Sequence, residues 1–143
     1  MNPSTISSQA KNVNWLMSRF VGETVGVEQA IAVSSDGLLM AISSNLGRAD
    51  ADKLAAIVTG MRSLSDGASR VLAKGGVNQV LIEMRSAYLF VAAISGGSSL
   101  GVVADKSCDL GLVGYEITLL VQRVGSQLTP ELITELKNSL MVS

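Results

Sequence analysis

The chain has 143 residues, the size of one domain where single domains cluster near ~100–150 residues. Hydrophobic residues make up 48% and charged residues 16%, with mean hydropathy +0.40; against a usual charged share of ~25%, this excludes disorder and predicts more apolar surface than one small domain hides. Lys+Arg number 11 against 12 Asp+Glu, net charge is −1 and aromatics are 3%, so the clustered positive charge and stacking platform of a nucleic-acid binder are missing.

Taken in chain order, Ile6, Ala10, Val13, Met17 and Phe20 recur at helical spacing. Ser4 or Thr5 is the expected cap and Gly22 the expected stop. Two apolar runs, Glu28 to Ser34 and Leu38 to Ser43, flank Asp36 and Gly37. That pattern predicts a hairpin with a type I′ turn, and makes Asp36 a turn residue rather than a catalytic carboxylate.

From Asp50 to Ala73 the period is helical and regular. Leu54, Ile57, Met61, Leu64, Ala68 and Val71 form a heptad seam, with Val58 and Leu72 beside it. Gly60 and Gly67 lie on its flank, and each costs ~1 kcal/mol relative to Ala inside a helix. Close approach of another backbone would offset that cost, supplied either by this chain's own sheet or by a second subunit. Ala55, Ala56, Thr59, Arg62, Ser63, Asp66, Ser69 and Arg70 make a small, lightly charged opposite side that a partner could cover.

Lys74, Gly75 and Gly76 break this helix, and three strands follow. Val77 to Met84 alternates, with Val80, Ile82 and Met84 on one face and Gln79, Leu81 and Glu83 on the other, as an edge strand does. Tyr88 to Ile94 and Leu100 to Ala104 are apolar on both faces and read as covered on both sides. Ser86 to Ala104 carries no charge and has membrane-span length, but Gly96 to Ser99 interrupts it, so two strands and a turn are expected. Asp109 to Val124 is a third helix with the stripe Leu110, Val113, Ile117, Leu120 and Val124; Leu112, Leu119 and Val121 widen it enough to predict a largely enclosed helix. Thr129, Pro130 and Glu131 then start a short amphipathic helix, about 130–141, that docks on its own domain or on a neighbour. The whole is expected to be one domain over 1–143 with a core of about 12–125. Its fold class is α+β: a five-stranded antiparallel sheet with helices on both faces, in the order α-β-β-α-β-β-β-α plus the short C-terminal helix.

Residues for chemistry are scarce. There is no histidine, which removes Ser-His-Asp and Cys-His catalysis, haem ligation and His-based zinc sites. Gly96 and Gly101 have phosphate-loop spacing, but Val102 and Val103 stand where Lys and Ser/Thr are needed. Asp50, Asp52, Asp105 and Asp109 sit near helix starts, where capping explains them better than a metal. A serine nucleophile would need a lysine base, for which Asp105, Lys106 and Ser107 make a weak case. Cys108, the single cysteine, fits a reducing cytoplasm and lies where a helix dipole could lower its pKa, although a core role is favoured. No signal peptide is recognised in Met1 to Phe20. The expectation is a cytoplasmic protein without its own active site, metal or cofactor.

Four segments together resemble the Roadblock/dynein light chain family. They are AVSSDGLL (Ala32 to Leu39), the long second helix, IEMRSAYLFV (Ile82 to Val91), and CDLGLVGYE (Cys108 to Glu116) followed by LLVQRV (Leu119 to Val124) and the Thr-Pro-Glu-Leu tail. The match runs from about Asn12 to Leu140, and the third-helix segment is most similar to actinobacterial members. The resemblance implies a homodimer in which second helices pack together and third strands pair edge to edge. By position, Leu54, Ile57, Gly60, Met61, Leu64, Gly67, Ala68, Val77, Gln79, Leu81 and Glu83 would form that interface. It also implies a separate small Ras-like GTPase as partner, met by Thr59, Arg62, Asp66 and Arg70, with a sensor kinase in the same signalling complex. Arg62 and Arg70, by exposure, and Arg48, by its place in a loop, are candidates for an arginine supplied in trans, with plain surface charge as the favoured role. A small-molecule sensory module and a purely structural dimeric scaffold are the alternatives.

Overall fold

A computed structural model of the chain describes residues 6–43 and 45–141. Helix α1 (Ser8–Glu23) leads into strands β1 (Val27–Val33) and β2 (Leu39–Ile42), then the long helix α2 (Arg48–Leu72). Strands β3 (Gln79–Glu83), β4 (Ala87–Ala93) and β5 (Ser99–Asp105) follow, then α3 (Leu110–Gly125) and α4 (Pro130–Met141). The five strands form one antiparallel sheet in the order β2-β1-β5-β4-β3, so the expected α+β architecture is the one observed.

Alternation along the strands divides the core in two. Ala30, Ala32, Phe90, Leu100, Val102 and Ala104 face α1, α3 and part of α4, where they meet Val13, Met17, Val113, Ile117 and Leu136. Ile31, Val33, Leu89 and Val91 face the other way and meet Ala51, Ala55 and Val58 of α2. The central strands β1, β4 and β5 are thus covered on both sides, as their continuous apolar runs require.

Local chemistry fixes the element ends, with some differences from expectation. Ser7 caps α1, its hydroxyl accepting from the Ala10 N–H at 3.2 Å; the expected caps Ser4 and Thr5 lie outside the described residues. Gly22 sits inside α1, which stops at Thr24 ahead of the positive-φ Gly26. The β1–β2 turn has positive φ at Gly37 but not at Asp36, and the Gly37 N–H bonds the Ser34 carbonyl at 3.0 Å. It is therefore a type I turn closed by a left-handed glycine rather than type I′. The side chain of Asp109 caps α3 through the Leu112 N–H at 3.0 Å, and Thr129 caps α4 through the Leu132 N–H at 3.1 Å. Ser95–Gly97 forms the β4–β5 turn, with Gly96 and Gly97 at positive φ.

The expected enclosure of α3 does not hold. Val113, Ile117, Leu120 and Val124 are buried, but Leu112 is 44% and Tyr115 60% exposed, because the helix packs, chiefly on α1 and β4, along one side. Among the described residues, no helix is long and apolar enough to cross a membrane. The segment 86–104 is two strands and a turn.

Candidate interaction surfaces

Of the 25 residues of α2, those buried are Ala51, Ala55 and Val58. They hold the helix close to the sheet at Gly101, where a Cβ would lie 2.8 Å from Val58 Cγ2 and 3.2 Å from Ile31 Cγ1. The larger apolar residues of α2 point elsewhere: Ile57 is 52%, Leu64 72% and Val71 86% exposed. Burying an aliphatic side chain of this size is worth ~1.5–3 kcal/mol, so an uncovered row of them is a marked departure from a finished surface. Leu54 and Met61 border the row, half-buried against the α2-side core, and Ala68 is exposed within it.

Gly60 and Gly67 decide between the two backbones that could explain them. A Cβ on Gly60 would meet nothing within 4 Å, and one on Gly67 would meet the Arg70 side chain at 3.9 Å. Neither glycine accommodates this chain's own sheet; that role belongs to Gly101. Both lie on the outward side of α2, next to the exposed aliphatic row.

β3 forms one edge of the sheet and, among the described residues, pairs with β4 alone. Its Val80 and Ile82 turn toward the α2-side core while Gln79, Leu81 and Glu83 turn toward α3. Gln79 Nε2 donates to the Gly114 carbonyl and Thr118 Oγ1 at 3.3 Å each, and Lys106 Nζ meets Glu83 at 2.6 Å. Leu81 is exposed. Val77 precedes the strand rather than belonging to it, since the strand runs from Gln79 to Glu83 instead of over Val77 to Met84.

Thr59, Arg62, Asp66 and Arg70 run along the opposite flank of α2, beside the β1–β2 and β4–β5 turns. Thr59 Oγ1 donates to the Ala55 carbonyl at 2.8 Å and lies against Gly37. Arg62 departs from its expected exposure: its side chain is 20% exposed, with Nη1 donating to the Ser98 carbonyl at 2.9 Å and Ser99 Oγ at 3.1 Å, and Nε to Asp66 at 3.2 Å. It ties α2 to the β4–β5 turn. Arg48 is likewise not in a loop but opens α2, where it pairs with Asp52 at 3.1 Å and donates to the Leu140 carbonyl. Arg70 is exposed.

Chemistry-bearing groups outside these surfaces are engaged structurally. Lys106 Nζ also donates to the Met84 carbonyl at 2.9 Å and lies 4.4 Å from the Tyr88 ring centroid. The Glu83 bond raises its pKa, the wrong direction for a base serving Ser107. Asp105 is held below the ordinary carboxylate value by its bond from the Ser107 hydroxyl. Cys108 packs beside the α1–α3 core, and burial, then Asp105 and Asp109, push its thiol up, in line with the favoured core role and not with a thiol activated by the helix dipole. Among the described residues, no group of three or more His, Cys, Asp or Glu is placed to hold a metal.

One surface escaped the sequence reading. α1 and α3 enclose a groove of about 460 Å³, floored by Leu16, Phe20 and Leu120 and rimmed by Trp15, Leu112 and Arg123. Trp15 is 53% exposed and carries the Arg19 guanidinium 5.1 Å from its ring centroid. The signal was available: Trp15 falls off the Ala10–Val13–Met17–Phe20 stripe of its helix.

Comparison with known proteins agrees with this architecture. The Roadblock/LC7 domain family matches residues 13–104. The crystal structure of a Roadblock/LC7 domain from Streptomyces avermitilis is 36% identical, with a TM-score of 0.73 over 78% of this chain and 92% of that one. Myxococcus xanthus MglB shares the fold at 17% identity and TM-score 0.74, over 80% of this chain and 93% of its own. The gliding protein MglB from Thermus thermophilus does so at 15% identity and TM-score 0.76, over 86% and 93%. No curated protein matches the sequence. The family match over most of the sheet and the first two helices, together with the Streptomyces domain, shows that this chain belongs to the Roadblock/LC7 family.

Proposed function

We propose that the protein is a non-enzymatic, cytoplasmic interaction module of a single domain. It forms a homodimer, binds a separate small Ras-like GTPase and regulates its nucleotide cycle within a signalling complex. The observation that carries this reading is the uncovered row Ile57, Leu64 and Val71 on α2, flanked by open glycines, on a sheet that ends in the β3 edge. A helix with such a row gains most by packing on a second copy of itself, and β3 is an edge available for strand pairing. Membership of the Roadblock/LC7 family supports a GTPase as the further partner.

Within this reading the four polar residues of α2 divide their roles. Arg70, exposed, Asp66 and Thr59 are the groups for GTPase contact, while Arg62 positions the helix against the β4–β5 turn. Any activation then comes from reshaping the partner's switch loops rather than from an arginine inserted by this chain.

The test is titration calorimetry of the full chain against a Ras-like GTPase from its source organism, loaded with GDP or a non-hydrolysable GTP analogue. Binding that differs between the nucleotide states supports a regulator, equal binding favours a scaffold, and no binding sinks the GTPase reading. The α1–α3 groove of about 460 Å³ supports a second reading, a small-molecule sensor; a ligand-dependent rise in melting temperature would favour it.

A further inference from the structure

We propose that α4 is a releasable clasp over the β2 edge of the sheet, and that the edge it covers pairs with β2 of a second copy of this chain. Leu132 and Leu136 of α4 are buried in the core beneath α1 and α3, whereas Leu140 packs on the core beneath α2. One helix reaches both cores by passing the rim of the sheet, and its contacts with β2 and α1 set that rim at β2. Polar ties fasten it at three points. Ser7 donates its backbone N–H and hydroxyl to Glu135 at 2.6 Å each, Lys137 pairs with Asp36 at 3.1 Å, and Arg48 donates to the Leu140 carbonyl.

Beneath this clasp β2 has none of the usual protection of an edge. Its residues are Leu39, Met40, Ala41 and Ile42, with no charge and no proline, the features that normally deter strand addition. On the β2 side protection falls to α4, which is joined to α3 by residues 126–129 and whose release would uncover Leu132 and Leu136.

Charge selects a second copy as the occupant. Antiparallel self-pairing about the middle of Leu39–Ile42 brings the Asp36 turn of one copy beside the Asn45–Arg48 segment of the other. Asp36 and Arg48 are opposite in charge, and both are groups that α4 occupies when docked. An uncharged strand flanked in this way meets itself without repulsion. The pairing requires neither a GTPase nor the α2 face.

Native-state hydrogen exchange on the unmodified chain tests the clasp. Amides of α4 and β2 are expected to open together, before those of β4 and β5; exchange of α4 only with global unfolding would overturn the inference. Lys137→Pro in the full chain breaks α4 and removes the Asp36 pair. Its mass by light scattering is expected to rise at least twofold relative to the unmodified chain at equal concentration, since a dimer formed through α2 would carry two freed β2 edges, with strand content kept by circular dichroism. Adding Arg48→Glu should restore the original mass, and adding Asp36→Lys to both should bring the larger species back. An unchanged mass with α4 melted, or a larger mass indifferent to the charge swap, would each count against β2 self-pairing. Lys137→Glu, a milder change that keeps the helix, is expected to speed exchange of α4 and β2 in step; no acceleration there would refute the clasp whether or not the proline variant folds.

Discussion

Val58 of α2 rests against the bare backbone of Gly101 in β5, where an added Cβ would lie 2.8 Å from the Val58 Cγ2 methyl. Val58 and Ile31, the two neighbours of that position, are both fully buried and have no room to retreat. Gly101→Ala is therefore expected to destabilise the fold by ~1–3 kcal/mol through overpacking. Chemical denaturation at equal protein concentration checks this, and a stability equal to that of the unmodified chain would mean α2 sits farther from the sheet.

Gly60 makes the opposite case. With nothing of its own chain within 4 Å of a Cβ, Gly60→Ala should stabilise an isolated subunit by ~1 kcal/mol through helix propensity. If a second α2 backbone approaches there, the same change should weaken dimerisation. Sedimentation equilibrium and dilute-solution denaturation separate the two effects, and stabilisation without loss of dimer would move the interface off the glycines.

The aliphatic row gives a direct test of self-association. Leu64→Lys removes an exposed apolar group and leaves both cores untouched, since Leu64 is 72% exposed. It should lower the solution mass to that of a monomer without loss of subunit stability. Met61→Lys tests less cleanly, because Met61 also packs against the α2-side core.

Arg62 and Arg70 should separate stability from binding. Arg62→Ala loses charged hydrogen bonds to Ser98 and Ser99 and the Asp66 pair, each such bond being worth ~1.5–3 kcal/mol when buried. A loss toward the lower end is expected in denaturation. Arg70→Glu, at an exposed position, should leave stability unchanged and weaken GTPase binding; the reverse pattern would exchange their roles.

Asp36 sets a pH dependence of known sign. The Ser34 hydroxyl first, and Lys137 second, hold its carboxyl below the ordinary value of 3.8. A carboxylate depressed in the folded state adds stability that is complete above its unfolded pKa and disappears as pH falls through the lower folded value. Ser34→Ala and Lys137→Ala should thus each raise the Asp36 titration midpoint, followed by carbon-detected NMR, and no rise in either would mean that these two groups do not hold the carboxylate.

Much of the architecture is legible in the residues because its signals are local. The Ala10–Val13–Met17–Phe20 stripe, the heptads of α2, the continuous apolar runs of β4 and β5, and the Thr129–Pro130 start of α4 each report a period or a cap. Orientation was harder to read. The row Leu54, Ile57, Met61, Leu64, Ala68 and Val71 is apolar throughout, yet the face that meets the sheet is Ala51, Ala55 and Val58. Small residues let the helix approach the strands, so size, not hydrophobicity, marks the buried side. The same blindness applied to α3, whose wide apolar surface is covered on one side only.

What the sequence determined by itself is the order of elements, the α+β class and the scarcity of catalytic groups, because these follow from periodicity, turn residues and the absence of histidine. Only the tertiary structure decided that Gly101, not Gly60 or Gly67, admits α2 to the sheet, that Arg62 is spent on the Ser98 carbonyl, and that α4 closes the β2 edge while β3 remains open. Those outcomes depend on which residues distant in the chain come within a few ångströms of one another. Spacing along one segment carries no record of that meeting.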